Sequence, residues 1–416
     1  MKRLLLLLIG FSLMATPAHA ETKRKKTYAM SMKIFKQMEK AQLMVDEDKL
    51  DEAVVELTDL LEKRSSDYEK AQIHNLMGSI YYRSNDYESA LKSFMRVLDS
   101  ANNMPLALHQ QTLKTISQLN MMKEDYAKAK LYFEQLIAIT EEPDQDNYAM
   151  LTQANYKLEN WDDAIGSALK GREVAYELSE IPNENLLILL NAVYFEMNEL
   201  EKMEPVLIEL IKHYPKTSYL IYLASIYGQL DRLDKQLVLM ESLYEDGKIK
   251  DRNKIRNLAS LYMSESTPYK GAKVLERALE TGVIEASAKD LELLAQAWQL
   301  AAERDKAVAA LGQAAELSDS GKNYLQKAYL HFDMAQWNAA KESLMLGLDK
   351  GLEDKFKGEA WLLLGMTRFK LKQFDQAIEA CEKAKDFKNS LKHAQQWITY
   401  ISSEKRKYES MQAPIT

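Results

Sequence analysis

One cysteine, Cys381, stands in the 416-residue chain, so no intramolecular disulfide can form and stability must come from packing. Helix breakers are sparse: 14 Gly and 8 Pro leave room for an almost wholly helical chain, and 46% hydrophobic residues supply a core for it. Positive charge is not in excess, with 55 Lys and Arg against 62 Asp and Glu, which excludes the clustered basic face of a nucleic-acid binder. No apolar run reaches the roughly 20 residues of a spanning helix. Histidines are few and scattered: beyond the N-terminal segment, His74, His109, His213, His331 and His393 never share a helical face at metal-ligand spacing. A phosphate-binding glycine loop, a nucleophile elbow and a calcium loop are all missing. The chain is therefore expected to be non-enzymatic, with no catalytic, cofactor or metal site.

The first twenty residues are set apart from the rest. Lys2 and Arg3 lead into the apolar run Leu4 to Met14 and then "PAHA", the layout of a secretory signal peptide with Ala18 and Ala20 at the positions the peptidase reads. Cleavage after Ala20 leaves Glu21 first, and with no cysteine following the site no lipid anchor is expected. The implied product is a periplasmic protein with no membrane segment. Loss of Lys2 and Arg3 leaves 53 bases against 62 acids, a net charge of -9. Lys23, Arg24, Lys25 and Lys26 form the one basic cluster, either a solvated leader or a contact with an anionic membrane surface or acidic partner.

The body of the chain repeats. In "NLMGSIYYRSNDYESALKSF" (75–94), taking Gly78 as the eighth position of a unit puts Tyr81 eleventh, Ala90 twentieth and Phe94 twenty-fourth. "WLLLGMTRFKLKQFDQAIEACEKA" (361–384) returns to that register through Trp361, Leu364, Gly365, Phe374, Ala377 and Ala384, departing at Arg368 and Cys381. This resembles the tetratricopeptide repeat (TPR), with its Trp, Leu-Gly, Tyr, Ala, Phe and Pro over about 34 residues. The twentieth position falls on Ala53, Ala90, Ala129, Ala164, Met203, Gln236, Gly271, Ala307, Ala340 and Ala377, at intervals of 33 to 39. Met203 and Gln236 are poor matches, and their units rest on "LLILLNAVYF" and "YLIYLASIYGQL". Small residues at positions eight and twenty let two antiparallel helices approach, and stacking buries the apolar face that a lone pair would expose.

The expected architecture is all-α, a TPR-type α-solenoid of about ten helix-turn-helix repeats with a C-terminal capping helix. It divides into signal peptide 1–20, leader 21–33, repeats 34–389, capping helix 390–408 and tail 409–416. In the capping helix, Leu391, Ala394, Trp397, Ile398 and Ile401 share a face. Pro105, Pro143, Pro182, Pro215 and Pro268 fall at turns, whereas Pro205 lies inside a predicted helix, which either starts near Glu204 or kinks there. Cys381 takes a core position, where an inert buried thiol is favoured over a reactive one; the methionines of "AMSM" and "NMMK" read as core filling rather than soft-metal ligands.

The TPR resemblance implies that positions two, five, nine and twelve of each first helix face an inner surface. Position twelve supplies Tyr82, Met121, Tyr156, Phe195, Met263, Phe332 and Phe369, broken only by Gly228 and Gln299. Position nine supplies a polar row, Gln42, Ser79, Gln118, Gln153, Ser225, Ser260 and Gln296. An apolar track beside amides and hydroxyls suits an extended peptide or partner helix; a stripe at repeat spacing is equally what core packing produces. The carboxylate clamp of chaperone-binding TPR domains is not reproduced: Asn75 and Arg83 are present, but Leu76 and Ser79 occupy its other two places.

A narrower resemblance rests on "ETKRKKTYAMSMKIFKQMEKAQ", "DEDKLDEAVVEL" and "YEKAQIHNLMGSIYY". These are similar to exported TPR proteins of Gram-negative bacteria described as components of TonB-type energy-transduction systems. The similarity implies a periplasmic scaffold or adaptor for protein or peptide partners, among them inner-membrane energy-transduction proteins, in support of outer-membrane uptake. The other readings are an assembly or export factor for envelope polymers, the regulatory subunit of an envelope enzyme, and a hydrolase with a site assembled across repeats.

Overall fold

The computed structural model describes residues 28–412, which form 21 α-helices and one short 3-10 turn, with no strand among them. The signal peptide 1–20, the cluster Lys23 to Lys26 and residues 413–416 lie outside the described residues. In chain order the first twenty helices follow one another as ten helix-turn-helix segments. The first four are α1 (Met32–Asp46) with α2 (Leu50–Leu61), α3 (Asp67–Arg83) with α4 (Tyr87–Leu98), α5 (Leu106–Met122) with α6 (Tyr126–Ile139), and α7 (Gln145–Lys157) with α8 (Trp161–Glu177). Next come α9 (Glu184–Glu196) and α10 (Leu200–His213), α11 (Thr217–Gln229) and α12 (Leu233–Glu245), and α13 (Arg252–Ser264) and α14 (Pro268–Glu280). The last are α15 (Ala288–Leu300) with α16 (Arg304–Leu317), α17 (Lys322–Asp333) with α18 (Trp337–Lys350), and α19 (Asp354–Lys370) with α20 (Phe374–Ala384), before the single α21 (Leu391–Gln412). This is the all-α repeat array with a C-terminal helix that the sequence implies. The chain forms two compact units, one ending at Val193 and one beginning at Tyr194.

Positions eight (Ala41, Gly78, Ser117, Thr152, Asn191, Ala224, Ala259, Ala295, Ala328, Gly365) and twenty are buried in every repeat and small in most, with Asn191, Met203 and Gln236 the large exceptions. The room left by a glycine is used at once. A Cβ on Gly78 would come within 2.8 Å of the Phe94 ring, and one on Gly365 would collide with the Cys381 sulfur. Cys381 is fully buried, and burial pushes its thiol up to about 11, so it is an inert packing group. Gln236, the polar exception at position twenty, is accommodated by a second exchange. Its amide lies 2.8 to 3.0 Å from where a Cβ on Gly228 would stand, so glycine at position twelve makes space for the longer side chain.

All ten hairpins close with the same turn. Position fifteen is left-handed in each, with φ between 55° and 64°, at Asp48, Asn85, Glu124, Glu159, Asn198, Asp231, Ser266, Ala302, Ala335 and Lys372. Its N–H donates to the carbonyl of position twelve, and the N–H of position sixteen donates to position eleven, as in Asn85 to Tyr82 at 3.1 Å and Asp86 to Tyr81 at 2.9 Å. This Schellman closure satisfies the last carbonyls of the first helix. No glycine occupies the left-handed position, so the repeats with Glu, Ser, Ala or Lys there carry about 1 kcal/mol of backbone strain, while Asp48, Asn85, Asn198 and Asp231 are of types that tolerate it. Ala302 is exposed and has no polar side chain to compensate. Ala302→Gly is therefore expected to raise stability by about 1 kcal/mol in urea denaturation followed by circular dichroism; an unchanged or lower midpoint would contradict the strain.

Pro105, Pro143, Pro182, Pro215 and Pro268 sit between helices or at a first helical position. α10 does not start near Glu204: it begins at Leu200 and continues through Pro205. In the second unit α21 buries Ala394 and Ile401, with Trp397 and Ile398 packed on Ala377 and Cys381. Leu391, expected on that face, stays exposed, and the helix runs on to Gln412.

Candidate functional site

In the first unit α1, α3 and α5 present their inner faces side by side. Positions two, five and nine fall three and four residues apart on one side of each helix, which places Phe35, Met38 and Gln42 on α1, Gln72, Asn75 and Ser79 on α3, and Gln111 and Gln118 on α5 in a row, with half-buried Lys114 at position five of α5 lining neither hollow. Two adjoining hollows result, of about 430 Å³ between α1 and α3 and about 410 Å³ between α3 and α5, both lined by Asn75 and Ser79. They form one groove across three repeats.

Its chemistry is mixed. Phe35, Leu43, Tyr82 and Met122 are 51%, 58%, 46% and 51% exposed, large apolar groups left in water. Between them stand five amides (Gln42, Gln72, Asn75, Gln111, Gln118) and the hydroxyls of Ser79 and Thr115. Each of those hydroxyls donates to the carbonyl four residues earlier, Ser79 to Asn75 at 3.0 Å and Thr115 to Gln111 at 2.9 Å; Thr115 also accepts from the Gln111 side-chain amide at 3.3 Å. Glu39 is the one charged side chain lining either hollow. A groove with apolar pockets, amides that donate and accept, and almost no charge fits the backbone of an extended segment, or an amphipathic helix laid on its apolar face.

Glu69 fixes the spacing of the groove's walls. The carboxylate is 6% exposed and accepts from the Ser31 N–H at the start of α1 and the Ser66 N–H at the start of α3, each at 2.7 Å. Burial alone would raise its pKa. The Ser66 and Ser31 backbone N–H groups, with both serine side chains, outweigh that and hold it at about 2.

In the second unit α13, α15 and α17 enclose a more polar hollow of about 650 Å³ lined by Arg256, Lys289, Glu292, Gln296, Gln299, Gln326 and Tyr329. Behind it, fully buried Asp290 accepts from Ser287 at 2.5 Å and holds Arg256 at 3.3 Å and Arg252 at 3.6 Å. Among the described residues no group of His, Cys, Asp and Glu is placed to hold a metal, and no helix is long and apolar enough to cross a membrane.

The two rows read from the sequence are placed differently. All seven position-nine residues are exposed: Gln42, Ser79 and Gln118 meet in the groove, Gln296 lines the second-unit hollow, and Gln153, Ser225 and Ser260 line neither. Of the position-twelve stripe, Tyr82 and Phe195 are exposed, while Met121, Tyr156, Met263, Phe332 and Phe369 are half-buried at the edge of the core. Met121 packs against the Ala129, Phe133 and Ala154 cluster, and Met263 against the largest core of the second unit. Four of the five aromatic members meet the ring five residues on, across the turn: Tyr82 with Tyr87, Tyr156 with Trp161, Phe332 with Trp337 and Phe369 with Phe374, at 5.6, 5.5, 5.0 and 6.0 Å between centroids, whereas Phe195 has Leu200 at that place. Only Tyr82 reaches the groove. Leu43 and Met122, exposed where the repeat pattern makes no demand, escape a reading by position, whereas positions two and five could be read straight from the register.

The tetratricopeptide repeat family model matches residues 71–104 and 358–390, the second and tenth hairpins from their first position. No curated protein matches the chain. Solved structures similar to it include a tetratricopeptide repeat protein from Parabacteroides merdae, at 15% identity over 62% of this chain and 98% of that one, TM-score 0.32. YrrB, a TPR protein with an unusual peptide-binding site, is 15% identical over 46% and 96%, TM-score 0.36. A TPR2AB-domain:pHSP90 complex of yeast Sti1 is 13% identical over 70% and 98%, TM-score 0.34. Tetratricopeptide repeats in general serve protein interaction through the surfaces that stacked repeats create.

Proposed function

We infer that this chain is a non-enzymatic scaffold that takes up a segment of a protein partner in the groove along α1, α3 and α5. The observation that carries the reading is the row of four exposed apolar side chains interleaved with five amides across three consecutive repeats. Such a row is costly to leave in water, and only Tyr82, through its ring contact with Tyr87, has a packing role as well. The layout of residues 1–20 supports export to the periplasm, and the character of the first hundred residues supports a place beside TonB-dependent energy transduction, with inner-membrane energy-transduction proteins as partners.

The test is in-cell crosslinking of the tagged protein followed by mass spectrometry, with periplasmic release by osmotic shock and N-terminal sequencing. Expected are a released protein beginning at Glu21 and recovery of inner-membrane energy-transduction proteins. Replacing Phe35, Leu43 and Met122 by Ser abolishes that recovery while leaving helicity unchanged, because all three are already half in water. Partners that persist in the folded variant would remove the groove from the account. A wild-type catch of unrelated envelope proteins would remove the TonB assignment and leave the groove standing.

A further inference from the structure

The end of the second unit carries a pocket of a different character. It lies between the turn of the tenth hairpin and α21, has a volume of about 270 Å³, and is lined by Phe369, Phe374, Tyr408 and Met411 below a rim of Lys370, Lys372 and Lys407. Its aromatic floor is built, not incidental. Phe369 and Phe374 are the ring pair that closes the hairpin, and α21 adds Tyr408 at 5.4 Å from Phe374 and Tyr400 at 5.4 Å from Phe369. The Lys405–Asp375 ion pair ties α21 to α20 so that the floor is held.

Charge is what sets the pocket apart from the groove of the first unit. Three lysines face one acid, Glu404, and that acid is engaged with Lys407 at 2.7 Å. Lys370 and Lys372 have no ion pair among the described residues; each rests over a ring instead, Lys370 5.9 Å from Trp337 and Lys372 5.1 Å from Tyr408. On a chain of net charge -7 two neighbouring uncompensated ammonium groups beside an apolar hollow form a local positive field.

We propose that this pocket is a second docking site, independent of the groove, for an acidic segment of a partner protein bearing one large apolar anchor. The anchor, a Phe or Leu side chain, sits on Phe369, Phe374 and Tyr408, and the flanking Asp or Glu carboxylates meet Lys370 and Lys372. The volume is below the usual 300 Å³ or so of a small-molecule site, which suits one side chain. Met411, 79% exposed, extends the apolar surface past the pocket and covers the residues beside the anchor, which a small free acid would leave unused.

Fluorescence polarisation on the full chain tests this with a labelled, acetylated and amidated Glu-Asp-Phe-Asp-Glu peptide. Binding is expected that weakens at least tenfold in Lys370→Gln/Lys372→Gln, with the uncharged Gln-Asn-Phe-Asn-Gln analogue, and with Ala in place of Phe, and that falls as salt is raised. Both lysines are exposed, so the variant's circular dichroism stays that of the wild type. Absence of binding, equal binding of the Ala-centred peptide, or binding indifferent to the lysine changes would overturn the proposal. So would N-acetylphenylalanine binding as tightly as the peptide, or phosphatidylglycerol vesicles binding with the same lysine dependence while the peptide does not.

Discussion

Gly321→Ala is expected to lower stability by about 3 kcal/mol or more, the largest effect of a methyl group added at any glycine among the described residues. Gly321 immediately precedes α17 with φ -71° and ψ 0°, a conformation any residue adopts, so alanine meets no backbone penalty there. What it meets is the last part of α18. A Cβ on Gly321 would overlap the carbonyl oxygen of Gly347 and stand 2.8 Å from its carbon and 3.0 Å from its Cα. These are backbone atoms of a helix and cannot rotate away as the Phe94 ring can from Gly78. Nor can the turn retreat, because the Gly321 N–H donates to the Gly351 carbonyl at 2.7 Å. Gly166 provides the control. It lies inside α8, exposed, with nothing within 4 Å of its would-be Cβ, so Gly166→Ala should gain up to about 1 kcal/mol from helix propensity alone. Urea denaturation of the two variants reads both effects; equal midpoints would show that the approach of Gly321 to Gly347 is not tight.

The second large effect is at Glu69. Glu69→Ala is expected to cost about 3 kcal/mol at neutral pH, the scale of losing a buried carboxylate that accepts two backbone N–H bonds and leaves both donors unsatisfied. The pH dependence has a definite sign. The folded pKa, about 2, lies below the ordinary 4.5, so the stabilisation is complete above about 4.5, declines as pH falls below that value, and is lost once the pH has passed through 2. Wild type should therefore lose stability between pH 5 and about 2 more steeply than Glu69→Ala, and the two curves should converge at the acid end. Because the carboxylate joins the starts of α1 and α3, hydrogen exchange in the variant should rise first at Ser31 and along α1. A variant with the same acid limb as wild type, or with uniform exchange, would show that Glu69 does not join those helices.

The register of the repeats could be read because it is set by volume. Small side chains let the two helices approach at positions eight and twenty, so Ala and Gly recur there; Met203 and Gln236 depart from this, and at Gln236 it is Gly228 that makes the room. The turns were illegible for the opposite reason. Their left-handed position accepts Asp, Asn, Glu, Ser, Ala and Lys alike, since the Schellman hydrogen bonds are made by backbone and no side-chain pattern marks them. Burial was the hardest quantity to read along the stripe. Tyr156, Phe332 and Phe369 have the same spacing as Tyr82, yet their exposure depends on how the ring five residues later lies against them, and the recurrence of Trp161, Trp337 and Phe374 was the available sign of that pairing. The groove was half legible: position nine delivered Gln42, Ser79 and Gln118, but Leu43 and Met122 matter by exposure, which only the packed hairpins determine.

The most direct test of the groove is a photo-crosslinking amino acid placed in living cells at Ser79, which with Asn75 lines both hollows, and separately at Gly166 on the exposed surface of α8. The account predicts a discrete protein adduct from Ser79, lost when Leu43 and Met122 are replaced by Ser, and none from Gly166. An adduct from Gly166 alone, or none from Ser79 in a protein that is folded and present, would contradict it.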